Sequence, residues 1–142
     1  MSDRAALYLR VSTVEQRKTN LSIASQLQQC RTYAERKGYV LFDCGRYVDA
    51  LGQDAAAGTP AYVEDASMRL GASRKTPALL ELIAAARAGS FDVMIALDVT
   101  RVSRGGPDLL GAFKMQLKDY KVRLEFASST TGDRVTDKIV EL

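Results

Sequence analysis

At 142 residues, 46% of them hydrophobic, the chain is about one domain's worth and can bury one ordinary core. It contains no histidine, which removes His-assisted serine hydrolases, His-based phosphotransfer and most zinc enzymes, and leaves chemistry to Ser, Arg, Asp, Glu, Lys, Gln or Tyr. The net charge of +3, from 20 basic and 17 acidic residues, is too small to establish a nucleic-acid partner by itself.

The first element is a strand running into Tyr8-Leu9-Arg10-Val11-Ser12-Thr13. With a side-chain period of two, Leu7, Leu9 and Val11 face one way and Tyr8, Arg10 and Ser12 the other. A buried strand rarely carries Arg without a partner, so an anion is expected beside Arg10, either a carboxylate or a bound phosphate. Ser12 taken alone reads better as a helix-capping hydroxyl. A polar connection over 13–21 leads to Ser22, the N-cap of a helix reaching about Lys37. Ile23, Leu27, Cys30 and Ala34 recur there at helical spacing, and Gly38 suits the C′ position. Gln26, one turn in, either faces the crevice that holds Ser12 or is an ordinary solvated glutamine. Residues 39–48 then read as a second strand, with Asp49 at its carboxyl end.

Residues 50–75 are rich in Ala, Gly, Ser and charge and show no sustained period, which predicts a functional flap or partial disorder. Within them, residues 63–70 are expected to form at most a short helical turn. Thr76-Pro77 opens a strong helix through Leu79, Leu80, Ile83 and Ala84, stopping at Gly89, whose role is scaffold. Phe91 to Leu97 is an almost continuous apolar run, as a strand covered on both faces requires, and it ends in Asp98. Arg101 and Arg104 follow, then a helix to about Tyr120 with Leu110, Phe113, Leu117 and Tyr120 on its buried face. Val122, Leu124 and Phe126 alternate with Arg123 and Glu125 as an edge strand, and Asp133 is positioned to cap a further helix.

Strands alternating with helices predict an α/β fold, a three-layer sandwich around a mainly parallel sheet of about four to five strands with helices on both faces. Ligands in such sheets bind at the carboxyl ends of the strands, where Ser12, Asp49, Asp98, Arg101 and Arg104 all fall. Arg101 and Arg104, three apart, project from one face if the chain is helical there, and with Arg10 they suit a tetrahedral phosphate. Residues 99–125 carry six basic and three acidic side chains, so positive charge collects around this segment. Cys30 and Cys44 have neither metal nor redox spacing and read as small buried hydrophobes. No apolar run approaches the ~20 residues of a membrane span, and Met1-Ser2-Asp3-Arg4 shows no signal-peptide pattern, so the expected compartment is the cytoplasm.

Taken together, Tyr8-x-Arg10-Val11-Ser12-Thr13, Ser22 and Gln26 on the first helix, a strand ending at Asp49, and Asp98-x-Thr100-Arg101-x-Ser103-Arg104 resemble the catalytic domain of the serine recombinases, the resolvase, invertase and large serine integrase family. The resemblance runs through essentially the whole chain. It implies DNA strand exchange, in which Ser12 attacks a backbone phosphate to give a covalent 5′-phosphoserine link and a free 3′-hydroxyl. Arg10, Arg101 and Arg104 then stabilise the transition state, Gln26 belongs to the same network, and Asp98 orients an arginine or assists proton transfer. It implies neither metal nor other cofactor, no small-molecule substrate and no membrane; the partners are double-stranded DNA and, in the full-length protein, further copies forming a homodimer and tetramer. Residues 1–132 are expected to be the catalytic domain, with 50–75 as its flap, and 133–142 the start of a dimerisation helix.

Two positions depart from the family pattern. Thr100 stands where many members place an Asp, and Asp98 two residues earlier fits a pattern of the large integrase branch. Thr76 stands where the family usually has Arg, with Arg74 or Lys75 as candidate replacements. That second departure motivates an alternative: a catalytically impaired homologue acting as a DNA- or partner-binding module. A third class, a flavodoxin- or receiver-like signalling module, is disfavoured because the loop after the first strand carries Arg and Ser rather than Gly.

Overall fold

The structure, a computed structural model, describes residues 2–11, 22–65, 77–98 and 107–128. In chain order its elements are β1 (Arg4–Val11), α1 (Ile23–Lys37), β2 (Val40–Leu41), β3 (Tyr47–Val48), β4 (Thr59–Pro60), β5 (Tyr62–Asp65), α2 (Pro77–Arg87), β6 (Val93–Ala96), α3 (Pro107–Asp119) and β7 (Arg123–Phe126).

The spine is β1, apolar on both faces because both are covered. Ala5, Leu7 and Leu9 meet Ile23, Leu27, Cys30 and Ala34 of α1, while Ala6 and Tyr8 meet Ala78, Leu82 and Ala86 of α2 and Leu117 of α3. One helix on one face and two on the other make the expected three-layer sandwich, around a sheet of five parallel strands. On one side of β1 lie β6 and then β7. The other side is divided lengthwise: β2 pairs with Arg4 and Ala5, and β5 pairs with Tyr8 through Val11. All four residues of β6 are buried, as the apolar run predicts.

Local chemistry sets the ends of α1. The Ser22 hydroxyl accepts from the Ser25 N–H at 3.2 Å, and Gly38 adopts φ 77° while its N–H reaches the carbonyls of Ala34 and Glu35. Arg36 and Lys37 lie in the last turn, where positive charge favours the helix dipole. Among the described residues no helix is long and apolar enough to cross a membrane. Both cysteines are free thiols; Cys30 is buried and Cys44 half-buried.

Two sequence expectations change. Residues 39–48 do not form one strand: β2 belongs to the main sheet and β3 to a separate antiparallel ribbon with β4. The break is an Asx turn, in which the Asp43 carboxylate accepts from the N–H of Gly45, whose φ of 87° ends extended pairing. Residues 62–65 form strand rather than the helical turn expected from 63, with Ala61 and Val63 on the α1 side and Tyr62 on the α2 side. That alternation has the period of a strand. In α2 the core-facing residues are Ala78, Leu82 and Ala86, whereas Leu80 is 61% exposed. The stop at Gly89 holds, with φ 78° and its N–H on the Ala86 carbonyl.

Candidate active site

The carboxyl end of β1 carries Arg10, only 8% exposed on a face otherwise committed to core. Burying a guanidinium is costly unless opposite charge or hydrogen bonds compensate. The parallel register places Glu64 of β5 directly beside it, on the same face of the sheet, and Glu64 is fully buried. Glu64 also reaches beyond the sheet: its Oε1 accepts the Leu79 N–H at 3.1 Å, at the first turn of α2, where a helix has unpaired donors and a positive end. One carboxylate therefore joins β5, the start of α2 and the neighbourhood of Arg10.

The main chain of Arg10 is held from the other layer. Its N–H donates to Gln26 Oε1 at 3.1 Å, and Gln26 Nε2 donates to its carbonyl at 2.9 Å. Gln26 is completely buried in α1, so the solvated alternative does not apply.

Asp98 follows β6 directly. The register between β1 and β6 ends at Tyr8 with Ala96, and two residues further along each chain stand Arg10 and Asp98. Asp98 is half-buried, and its charge acts on Cys30, one turn along α1 from Gln26. Burial first, and then Asp98, push the Cys30 thiol up to about 12, so this thiol stays protonated and inert.

Arg10, Gln26 and Asp98 are thus gathered at the carboxyl rim, where β5 returns to one side of β1 and β6 crosses to the other. This reversal of strand order is the usual location of a ligand crevice in an open parallel sheet. Ser12, Arg101 and Arg104 lie outside the described residues, as do Thr76, Arg74 and Lys75. Asp49 does not belong to this rim set: its strand is in the ribbon, where its Oδ1 accepts the N–H groups of Leu51 and Gln53 and closes a turn.

Glu64 is the residue that sequence reasoning missed. Two signals pointed to it: the anion that a buried Arg10 requires, and the two-residue alternation of Ala61-Tyr62-Val63-Glu64 within a stretch taken for a flap.

Chemically, the rim offers a buried arginine whose main chain is fixed, and two carboxylates on adjacent strand ends. Structural relatives share the scaffold. The N-terminal catalytic domain of TP901-1 integrase superposes with TM-score 0.63 at 22% identity, covering 97% of this chain and 91% of that one. The C-terminal catalytic domain of ISC1926 TnpA, an IS607-like serine recombinase, gives 0.58 at 23% identity, covering 97% and 79%. No curated protein sequence matches the chain. The family model described as the resolvase N-terminal domain matches residues 5–141, spanning β1 and every later element of the site, and by that match the chain belongs to the resolvase family of serine recombinase catalytic domains.

Proposed function

We propose that this domain cleaves and rejoins DNA through a covalent phosphoserine. The Ser12 hydroxyl gives up its proton as its oxygen attacks a backbone phosphorus; the new O–P bond forms as the bond to the 3′ oxygen breaks, the leaving 3′ oxygen takes up a proton, and the 5′ phosphate remains on the protein. Arg10, Arg101 and Arg104 stabilise the charge that builds on the phosphoryl oxygens, and Asp98 orients an arginine or assists the proton transfer. Rejoining reverses these steps with the 3′-hydroxyl of another strand, so the energy of the phosphodiester is conserved. The partners on this reading are double-stranded DNA and further copies of the protein, assembled as dimer and tetramer in the cytoplasm.

The observation that carries the proposal is the placement of Arg10: a buried arginine, fixed through its main chain, at the end of the strand whose next residue but one is Ser12. Its neighbour β6 leads by way of Asp98 into the segment bearing Arg101 and Arg104. The test is to give the full-length protein a suicide DNA substrate. Covalent protein–DNA adduct is expected from the wild type and none from Ser12→Ala. Folded protein that binds the site yet gives no adduct in either form overturns the enzyme in favour of a binding module.

A further inference from the structure

We infer that Gln26 is a positioning residue that acts through the main chain of Arg10, rather than a group that touches the phosphate; this rests on the recombinase reading above. Its carboxamide meets both backbone groups of one residue, accepting from the Arg10 N–H at 3.1 Å and donating to the Arg10 carbonyl at 2.9 Å. A strand neighbour would satisfy the same two groups in a ladder. The need arises at this point because β6 pairs with β1 only as far as Tyr8. Beyond that pair β1 continues through Arg10 and Val11. On its other edge β1 stays paired with β5 as far as Val11, so Gln26 supplies from α1 what β6 no longer supplies.

Three properties suit Gln26 to this role. It is completely buried, so water does not compete for the two bonds. It belongs to a stripe with Ile23, Leu27, Cys30 and Ala34 that locks α1 onto the sheet, so its position is fixed by packing. A primary amide carries a donor and an acceptor side by side at any pH, which an ionised Glu, a Met or a Leu of similar size does not. Holding the backbone of Arg10 fixes the direction in which its side chain leaves the strand. It also fixes the point from which the chain runs on to Ser12.

The test pairs amide hydrogen exchange at Arg10 with the rate of covalent adduct formation by the full-length protein. Gln26→Met keeps the volume and removes both bonds. The Arg10 amide should then exchange about tenfold faster or more while the amides of Leu7 and Tyr8 stay protected. Adduct formation should slow by about 10- to 100-fold with DNA affinity unchanged, the usual scale for a misplaced catalytic group.

Gln26→Glu adds a signature that general loosening of the core does not produce. An ionised carboxylate accepts the Arg10 N–H but opposes the Arg10 carbonyl; once protonated, it donates to that carbonyl. Burial and the nearby Asp98 favour the protonated form and Arg10 the ionised one, with Glu64 and the protonated Cys30 the other titratable groups at this end of the sheet. Amide protection and adduct rate in Gln26→Glu should therefore recover together as pH falls.

Unchanged adduct formation in Gln26→Met overturns the inference. So does slowed adduct formation with Arg10 protection intact, the result that direct contact with phosphate predicts. Should Gln26→Met fail to fold, the joint acid recovery of Gln26→Glu decides, and its absence counts against the role. A wild type that forms no adduct sinks the recombinase reading instead, and Arg10 exchange then shows by itself whether Gln26 holds the strand.

Discussion

That a buried Arg10 calls for an anion was legible from one strand; that β5 sets a buried carboxylate beside it in the sheet was not. Glu64 is distant in sequence and sits in a stretch whose composition resembles a flap, so only the pairing of β5 with β1 brings the two together. Glu64→Gln retains an oxygen for the Leu79 N–H and removes the charge beside Arg10. It should destabilise the fold by about 1–3 kcal/mol, measured by urea unfolding, and slow adduct formation. A second polar cluster lies at the opposite rim, where Glu125 accepts from the hydroxyls of Tyr33 and Tyr39, both at 2.9 Å, and pairs with Arg123, which also binds Asp3 at 2.7 Å. Burial by itself would raise the Glu125 pKa, but the hydrogen bonds from Tyr33, Tyr39 and Arg123 together outweigh it and hold it below the ordinary 4.5. A carboxylate with a lowered folded pKa contributes stability above its unfolded value and loses that contribution as pH falls through the folded one. Acid unfolding should therefore be shallower in Glu125→Gln, measured as stability between neutral pH and the acid limb. The pattern of β7 showed Arg123 and Glu125 on one face, but not that this face meets α1.

Elements with a strong period were legible and short ones were not. The stripe of α1, its Ser22 cap and its Gly38 terminus all stand where the spacing put them, because each depends on residues within a few positions. Strands of two residues, such as β2 and β3, carry no period to read, and their separation depends on the turn at Asp43 and Gly45. In α2 the sequence is apolar nearly all round, so its spacing left the buried face open. The structure selects Leu82, fully buried against the sheet, over Leu80 on the surface. Leu82→Ala should cost about 2–5 kcal/mol by cavity formation, whereas Leu80→Ala should change stability by less than about 0.5 kcal/mol, both by chemical denaturation.

At the scale of the whole molecule, the parallel sandwich followed from the alternation of strands and helices, and family membership from motifs at its two rim segments. One consequence of the topology concerns how the chain can be divided. The central strand comes from the first segment, yet its neighbours β5 and β6 come from the second, and the ribbon between them carries Leu51, 77% exposed, on its loop. The two sides of that loop are interleaved rather than side by side. A single protease cut at Leu51 should therefore leave two pieces that elute together in native chromatography and part only in denaturant. Expressed separately, neither piece has a complete sheet, and mixing them should restore the fold by complementation: the ribbon is where this protein can be made in halves.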